Sequence, residues 1–138
     1  MVRSLLLALC LVASAATAAE VSKDDAEAIR KVITEQIDAF AKDDGPRAFS
    51  LATTGIQATF GTAEAFMDMV RTQYQVVYRP KSVEFQAPEI IEGQVVQPVR
   101  MTDASGGAWL AIYPMLREPG HGWRTNGCLL HRLPGVQT

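Results

Sequence analysis

Two cysteines and two histidines are all that 138 residues offer, and that scarcity excludes a good deal. A zinc site takes three or four ligands, and its structural forms come with paired spacings. Cys10, Cys128, His121 and His131 provide no such pairs, so no metal is expected. The chain also lacks a basic run. Thirteen Lys and Arg stand against fifteen Asp and Glu, a net charge of −2. Neither nucleic acid nor an anionic lipid surface finds its electrostatic footprint here. No apolar stretch approaches the ~20 residues that a membrane-spanning helix needs. Internal repeats and low-complexity segments are missing as well.

The N-terminus is different in kind. Arg3 is followed by "LLLALCLV", Leu5 to Val12, and then by small residues with Ala16 and Ala18 flanking Thr17. A charged start, a short apolar core and an A-x-A site form a secretory signal peptide. Cleavage after Ala18 or Ala19 is expected, which makes 1–18 the signal and 19–138 a single domain. A lipoprotein reading of Cys10 fails because Leu9 precedes it where a small residue is needed. Cleavage removes Arg3 and Cys10, leaving twelve basic and fifteen acidic residues, a net charge of −3. The expected location is secreted, in the periplasm. One remaining thiol makes no internal disulfide, so the domain must rest on an ordinary core.

Helical spacing dominates the first half. Ser22 is an N-cap with Asp25 at the reciprocal capping-box position. Ala26, Ile29, Val32, Ile33, Ile37 and Phe40 then share one helix face. "DDGPR", Asp43 to Arg47, ends this run, and a short second helix follows through Ala48, Phe49 and Leu51. "TTGIQATFG", Thr53 to Gly61, carries no clear pattern. Thr62 caps another helix, with Ala63, Phe66, Met67, Val70 and Tyr74 on its apolar side. Pro80 forces Arg79 towards extended geometry, so that helix is over before Arg79.

From Ser82 onward the chain alternates as strands do. Turns at Glu92-Gly93, Asp103–Gly107 and Arg117–Gly122 separate four strands, which predicts an antiparallel meander. Pro98 and Pro114 inside strands call for edges or bulges at those points. Helices first and a sheet after is an α+β plan. The third strand, Ala108 to Leu116, is apolar on both faces: Trp109, Ala111, Tyr113 and Met115 on one, Leu110, Ile112, Pro114 and Leu116 on the other. Helices can cover only one face. A second subunit packed through the sheet face, making a homodimer, is the reading taken for the other. A sheet folded over itself, or termini draped across it, are the alternatives.

The stretches "VITEQIDAFAKDD", "FGTAEAFMDMVRTQY" and "YRP", the "GW" before the last strand and the signal peptide resemble a bacterial family of unknown function, number 4864. The resemblance covers nearly all of the mature chain. It implies a nuclear-transport-factor-2-like fold, a cone of helices and curved sheet around a pocket. Polyketide cyclases, ketosteroid isomerases and many non-catalytic binding domains share that fold, so the fold alone assigns no function.

The residues themselves argue against catalysis. Cys128 and His131 lie three apart in a strand and should face opposite ways, which separates a thiol from its base. An isomerase needs a carboxylate in an apolar pocket. Asp38 falls opposite the apolar face of the first helix. Asp68 pairs with neighbouring charges, and Glu84 alternates away from Val83 and Phe85. The pocket candidates are therefore Gln36, Tyr74, Tyr78, Arg79, Trp109 and Tyr113. Gln36 sits within the apolar arc, where its amide either meets a ligand or bonds a nearby backbone, and the second is favoured. Arg79 could fork a ligand carboxylate, but pairing with a structural acid or stacking on an aromatic ring is favoured. The four aromatics could line a wall or simply fill the core. The expected function is non-catalytic: binding of a small apolar ligand or a protein partner, with no cofactor. An isomerase or cyclase using Tyr78 or Tyr113, and a structural dimeric module, stand as alternatives.

Overall fold

A computed structural model describes residues 20–135. The signal-peptide reading therefore falls on residues outside it. Five helices come first: α1 Lys23–Ala41, α2 Gly45–Ser50, α3 Thr54–Phe60, α4 Ala63–Gln73 and α5 Gln75–Tyr78. Six strands follow: β1 Ser82–Phe85, β2 Glu89–Ile91, β3 Gln94–Thr102, β4 Ala108–Glu118, β5 Gly122–Thr125 and β6 Leu129–Arg132. This is the expected α+β order, with helices packed on one curled antiparallel sheet in a cone-like arrangement.

Side-chain caps start the main helices. Ser22, Thr53 and Thr62 each accept a bond from the backbone N–H three residues on, at 3.1, 3.3 and 3.1 Å. Each thereby satisfies a donor that the first helical turn leaves free. The capping box at α1 is only half made. Asp25 turns its carboxylate outward to the Trp123 indole N–H, at 3.1 Å, and to Arg117. The helix start is thus tied to β4 and β5. α3, where the sequence carried no pattern, buries none of its residues. Its inward side carries only two apolar residues, Ile56 and Phe60, both partly buried, too short a stripe for a periodicity to be read.

The meander is present, but its two outer strands are each broken. β1 and β2 both pair with β3, while β5 and β6 both pair with β4. The prolines explain where. Gln86 N–H donates to the Pro98 carbonyl and Asn126 N–H to the Pro114 carbonyl. A strand residue aims its C=O and N–H the same way, so each proline points its missing donor at a break. At each break four residues advance on the outer strand for three on its partner: Phe85↔Val99 to Glu89↔Val96, and Met115↔Thr125 to Ile112↔Leu129. One extra residue is a bulge, and bulges bend and twist a sheet. Two of them, one on each side of the β3–β4 pair, curl the sheet. The buried Gln97 amide fills the first gap, donating to the Gln86 and Pro98 carbonyls at 2.7 and 2.8 Å. The tight turn at Glu92-Gly93 has positive φ at both residues, as a two-residue hairpin of the primed type requires.

The core lies between the helices and the inner sheet face. Ile29, Ile33, Val99, Met101 and Ala111 show no exposed surface at all. Phe66 is the hub of an aromatic cluster, with ring centroids 5.9, 5.5 and 5.6 Å from Phe40, Phe49 and Phe60. The link between α2 and α3 is pinned to the sheet end. Thr53 N–H donates to the Thr125 carbonyl at 2.9 Å, and Thr125 N–H to the Leu51 carbonyl at 3.0 Å.

Candidate functional site

Between α1, α3, α4 and the β5–β6 break lies a partly open cavity of about 320 Å³. Its walls follow from the helix patterns. The inward stripe of α1 brings Gln36 and Phe40, and that of α4 brings Phe66, Met69 and Val70. Ile56 and Phe60 of α3, with the exposed Gln73, stand at the more accessible side. The floor is Tyr113, on the inner face of β4, with Thr125, Gly127 and Cys128 beside it. Gly127 has φ 96°, which lets the chain turn through the bulge and leaves that part of the wall as bare backbone. Such a volume, apolar with a few polar groups, falls at the lower end of small-molecule sites.

Three of the six sequence candidates meet at this cavity: Gln36, Tyr74 and Tyr113. The other three do not. Tyr78 donates to Asp43 at the surface, and Arg79 pairs with Asp43 at 3.2 Å while lying 4.8 Å over the Tyr78 ring. Arg79 thus has both structural partners that its chemistry suggested. The Tyr78 hydroxyl, followed by Arg71, holds the Asp43 carboxyl below the usual range. Trp109 donates its indole N–H to Asp103 at 2.9 Å and shares a separate surface groove with Arg79. Asp103 also accepts from Ser105 and Gly107, and these bonds, Trp109 first, hold its carboxyl at about 2.

Gln36 donates from Nε2 to the Ala48 carbonyl at 3.0 Å, the structural bond that a buried amide needs. A carbonyl partner fixes which end of the amide is nitrogen. Its Oε1 therefore points elsewhere; among the described residues no donor bonds it, and unlike the Tyr113 hydroxyl it is not sealed off. Tyr113 is 2% exposed, and its hydroxyl has no hydrogen-bond partner among the described residues. The Cys128 thiol is close enough to perturb this hydroxyl, but the two do not meet in hydrogen-bond geometry. Sulfur is in any case a weak acceptor.

Cys128 shows intermediate exposure, yet the surface it shows lines the cavity. Enclosure by protein pushes its thiol up to about 12. A thiol that stays protonated is no nucleophile. His131 lies opposite Leu110 on the outer sheet face and is exposed, away from the thiol. Burial raises the Tyr113 phenol well above its ordinary value, and burial also raises Tyr74. Sequence reasoning left Cys128 as a plain strand residue. The bulge that turns it into the cavity is signalled only by Pro114, across the break.

The outer sheet face is also apolar. Leu116, Ile91 and Leu129 are 43, 51 and 59% exposed there, beside Ile112 and Pro114. Among the described residues, no group of three or more His, Cys, Asp or Glu side chains converges, and no helix is long and apolar enough to cross a membrane. A model of the family described as a domain of unknown function (DUF4864) matches residues 22–138. No curated protein matches the chain.

Proposed function

We propose that this chain, which belongs to the DUF4864 family of domains of unknown function, is a secreted, non-catalytic binding domain of the nuclear-transport-factor-2-like type. It takes a small apolar ligand into the cone. The observation that carries this reading is the cavity itself: about 320 Å³, walled by Phe40, Phe60, Phe66, Met69 and Val70. A filled core would leave no such space at native packing density. The isomerase alternative has less support, because no carboxylate is among the lining residues that could serve as base. Secretion is supported by the signal-like N-terminus. A mature mass beginning at Ala19 or Glu20 is the expected mark of cleavage.

The test is binding of a fluorescent apolar probe to delipidated protein. Wild type is expected to bind it. Val77→Phe, which replaces a wall residue with a ring that fills part of the cavity, is expected to lose binding while still folding cooperatively. Equal binding by both proteins would move the ligand out of the cavity.

A second reading rests on a different observation, the apolar run Leu116, Pro114, Ile112 and Leu129 on the outer sheet face, with Ile91 beyond Gln94. Isolated apolar residues are normal at a surface, but a contiguous patch marks an interface. A second copy of the chain covers this face in a homodimer. Sedimentation is expected to give a dimer for wild type and a monomer for Leu129→Glu. A wild-type monomer at high concentration would end this reading.

A further inference from the structure

We infer that the cavity selects an uncharged amphipathic molecule, an apolar body with one oxygen that accepts a hydrogen bond, and that the Tyr113 hydroxyl is the donor that selects it. This rests on the apolar-ligand reading above and specifies the polar end of that ligand.

No side chain lining the cavity is charged. A carboxylate or ammonium entering it would lose its hydration and find no opposite charge. The three lining groups that could ionise stay neutral, since burial raises the Cys128 thiol and the Tyr113 and Tyr74 phenols. The charge that the wall lacks is therefore not supplied by a change of pH in the physiological range. Fatty acid anions and amines are disfavoured on the same ground.

The wall is not chemically blank, however. Tyr113 carries the one buried side-chain polar atom among the described residues that has no partner. Native proteins satisfy nearly all such groups, so an orphan just behind a cavity wall points to a partner that enters through the cavity. The unmet need is an acceptor, because the thiol beside it is a poor one. A ketone, ester or ether oxygen meets that need. The Gln36 amide oxygen, left over after its bond to Ala48, suits the hydroxyl of an alcohol equally well. The Tyr113 hydroxyl is sealed in the free protein, so a ligand reaches it only after a neighbouring side chain moves.

The experiment is displacement of the fluorescent apolar probe by decane, 2-decanone and decanoate at neutral pH. It compares wild type with Tyr113→Phe, each purified from expression of the full chain. Comparing one ligand between two proteins cancels that ligand's own hydration. The ketone is expected to displace the probe at a concentration at least about tenfold below that of decanoate, because a desolvated, unpaired charge is the costlier burden. In Tyr113→Phe the ketone is expected to weaken by roughly two- to tenfold, the span of one net hydrogen bond. Decane should be unchanged, which also reports that the cavity is intact. A ketone affinity equal to that of decanoate, or one unmoved in Tyr113→Phe, overturns the assignment and leaves the apolar-ligand reading standing. Failure of all three ligands, and of the probe itself, overturns both.

Discussion

Replacing Phe66 with alanine is expected to remove about 3–5 kcal/mol of stability, the usual range for truncating a core phenylalanine. The side chain is 6% exposed and touches three other rings, Phe40, Phe49 and Phe60, which come from three different helices. No other ring joins so many elements in this cluster. Its loss also enlarges a cavity that already exists, so collapse does not refill the space and the cost should fall in the upper part of that range. A domain of this size holds roughly 5–15 kcal/mol in total. The variant should therefore melt about 10–20 °C lower. Val83→Ala, at a residue 37% exposed on β1, is the control and should change stability by under about 0.5 kcal/mol. Denaturant titration of both variants decides the matter. A Phe66→Ala loss below about 1 kcal/mol would mean that the aromatic cluster does not hold the helices together.

Tyr113→Phe should have the opposite sign. The ring stays, packed among Gln97 and its neighbours on the inner face, and only the hydroxyl goes. A buried hydroxyl without a partner costs about 1–3 kcal/mol. Removing it should stabilise the free protein by about 1–2 kcal/mol, a rise of several degrees in Tm. Most core substitutions destabilise, so this sign is diagnostic. The two effects of the hydroxyl are linked. In the proposed binding reading, it is a cost in the free protein because it lacks a partner, and a bound ligand would supply that partner. Ligand should accordingly raise the Tm of wild type more than that of the variant. A variant less stable than wild type by 1 kcal/mol or more would show that the hydroxyl is already bonded in the free protein.

Much of this fold was legible in the residues. Ser22 and Thr62 mark helix starts, and Glu92-Gly93 marks a hairpin, because each is a local signal with a local cause. Pro98 and Pro114 flagged irregularity in the sheet, and both face breaks in the outer strands. What they could not convey was the curl that follows, since bending depends on how two bulges act across one strand pair. α3 escaped notice because its seven residues turn only two apolar side chains inward, Ile56 and Phe60, both partly buried, which is too short a stripe to read. The site was half legible. Gln36 stood out as a polar residue in an apolar arc, and Tyr74 and Tyr113 lie at the same cavity. Tyr78, Arg79 and Trp109 were candidates on equal terms but bond Asp43 and Asp103 away from the cavity. Which aromatic meets a cavity is decided by tertiary placement, and residue type alone does not encode it.

The most direct test of a ligand in the cone is a methyl NMR titration of the full protein with 2-decanone. The methyl groups of Ile56, Met69, Val70 and Val77 line the cavity, while those of Ile91, Leu116 and Leu129 lie on the outer sheet face. The cavity account predicts saturable shifts in the first set and none in the second. Shifts confined to the outer set, or none in either, would contradict it.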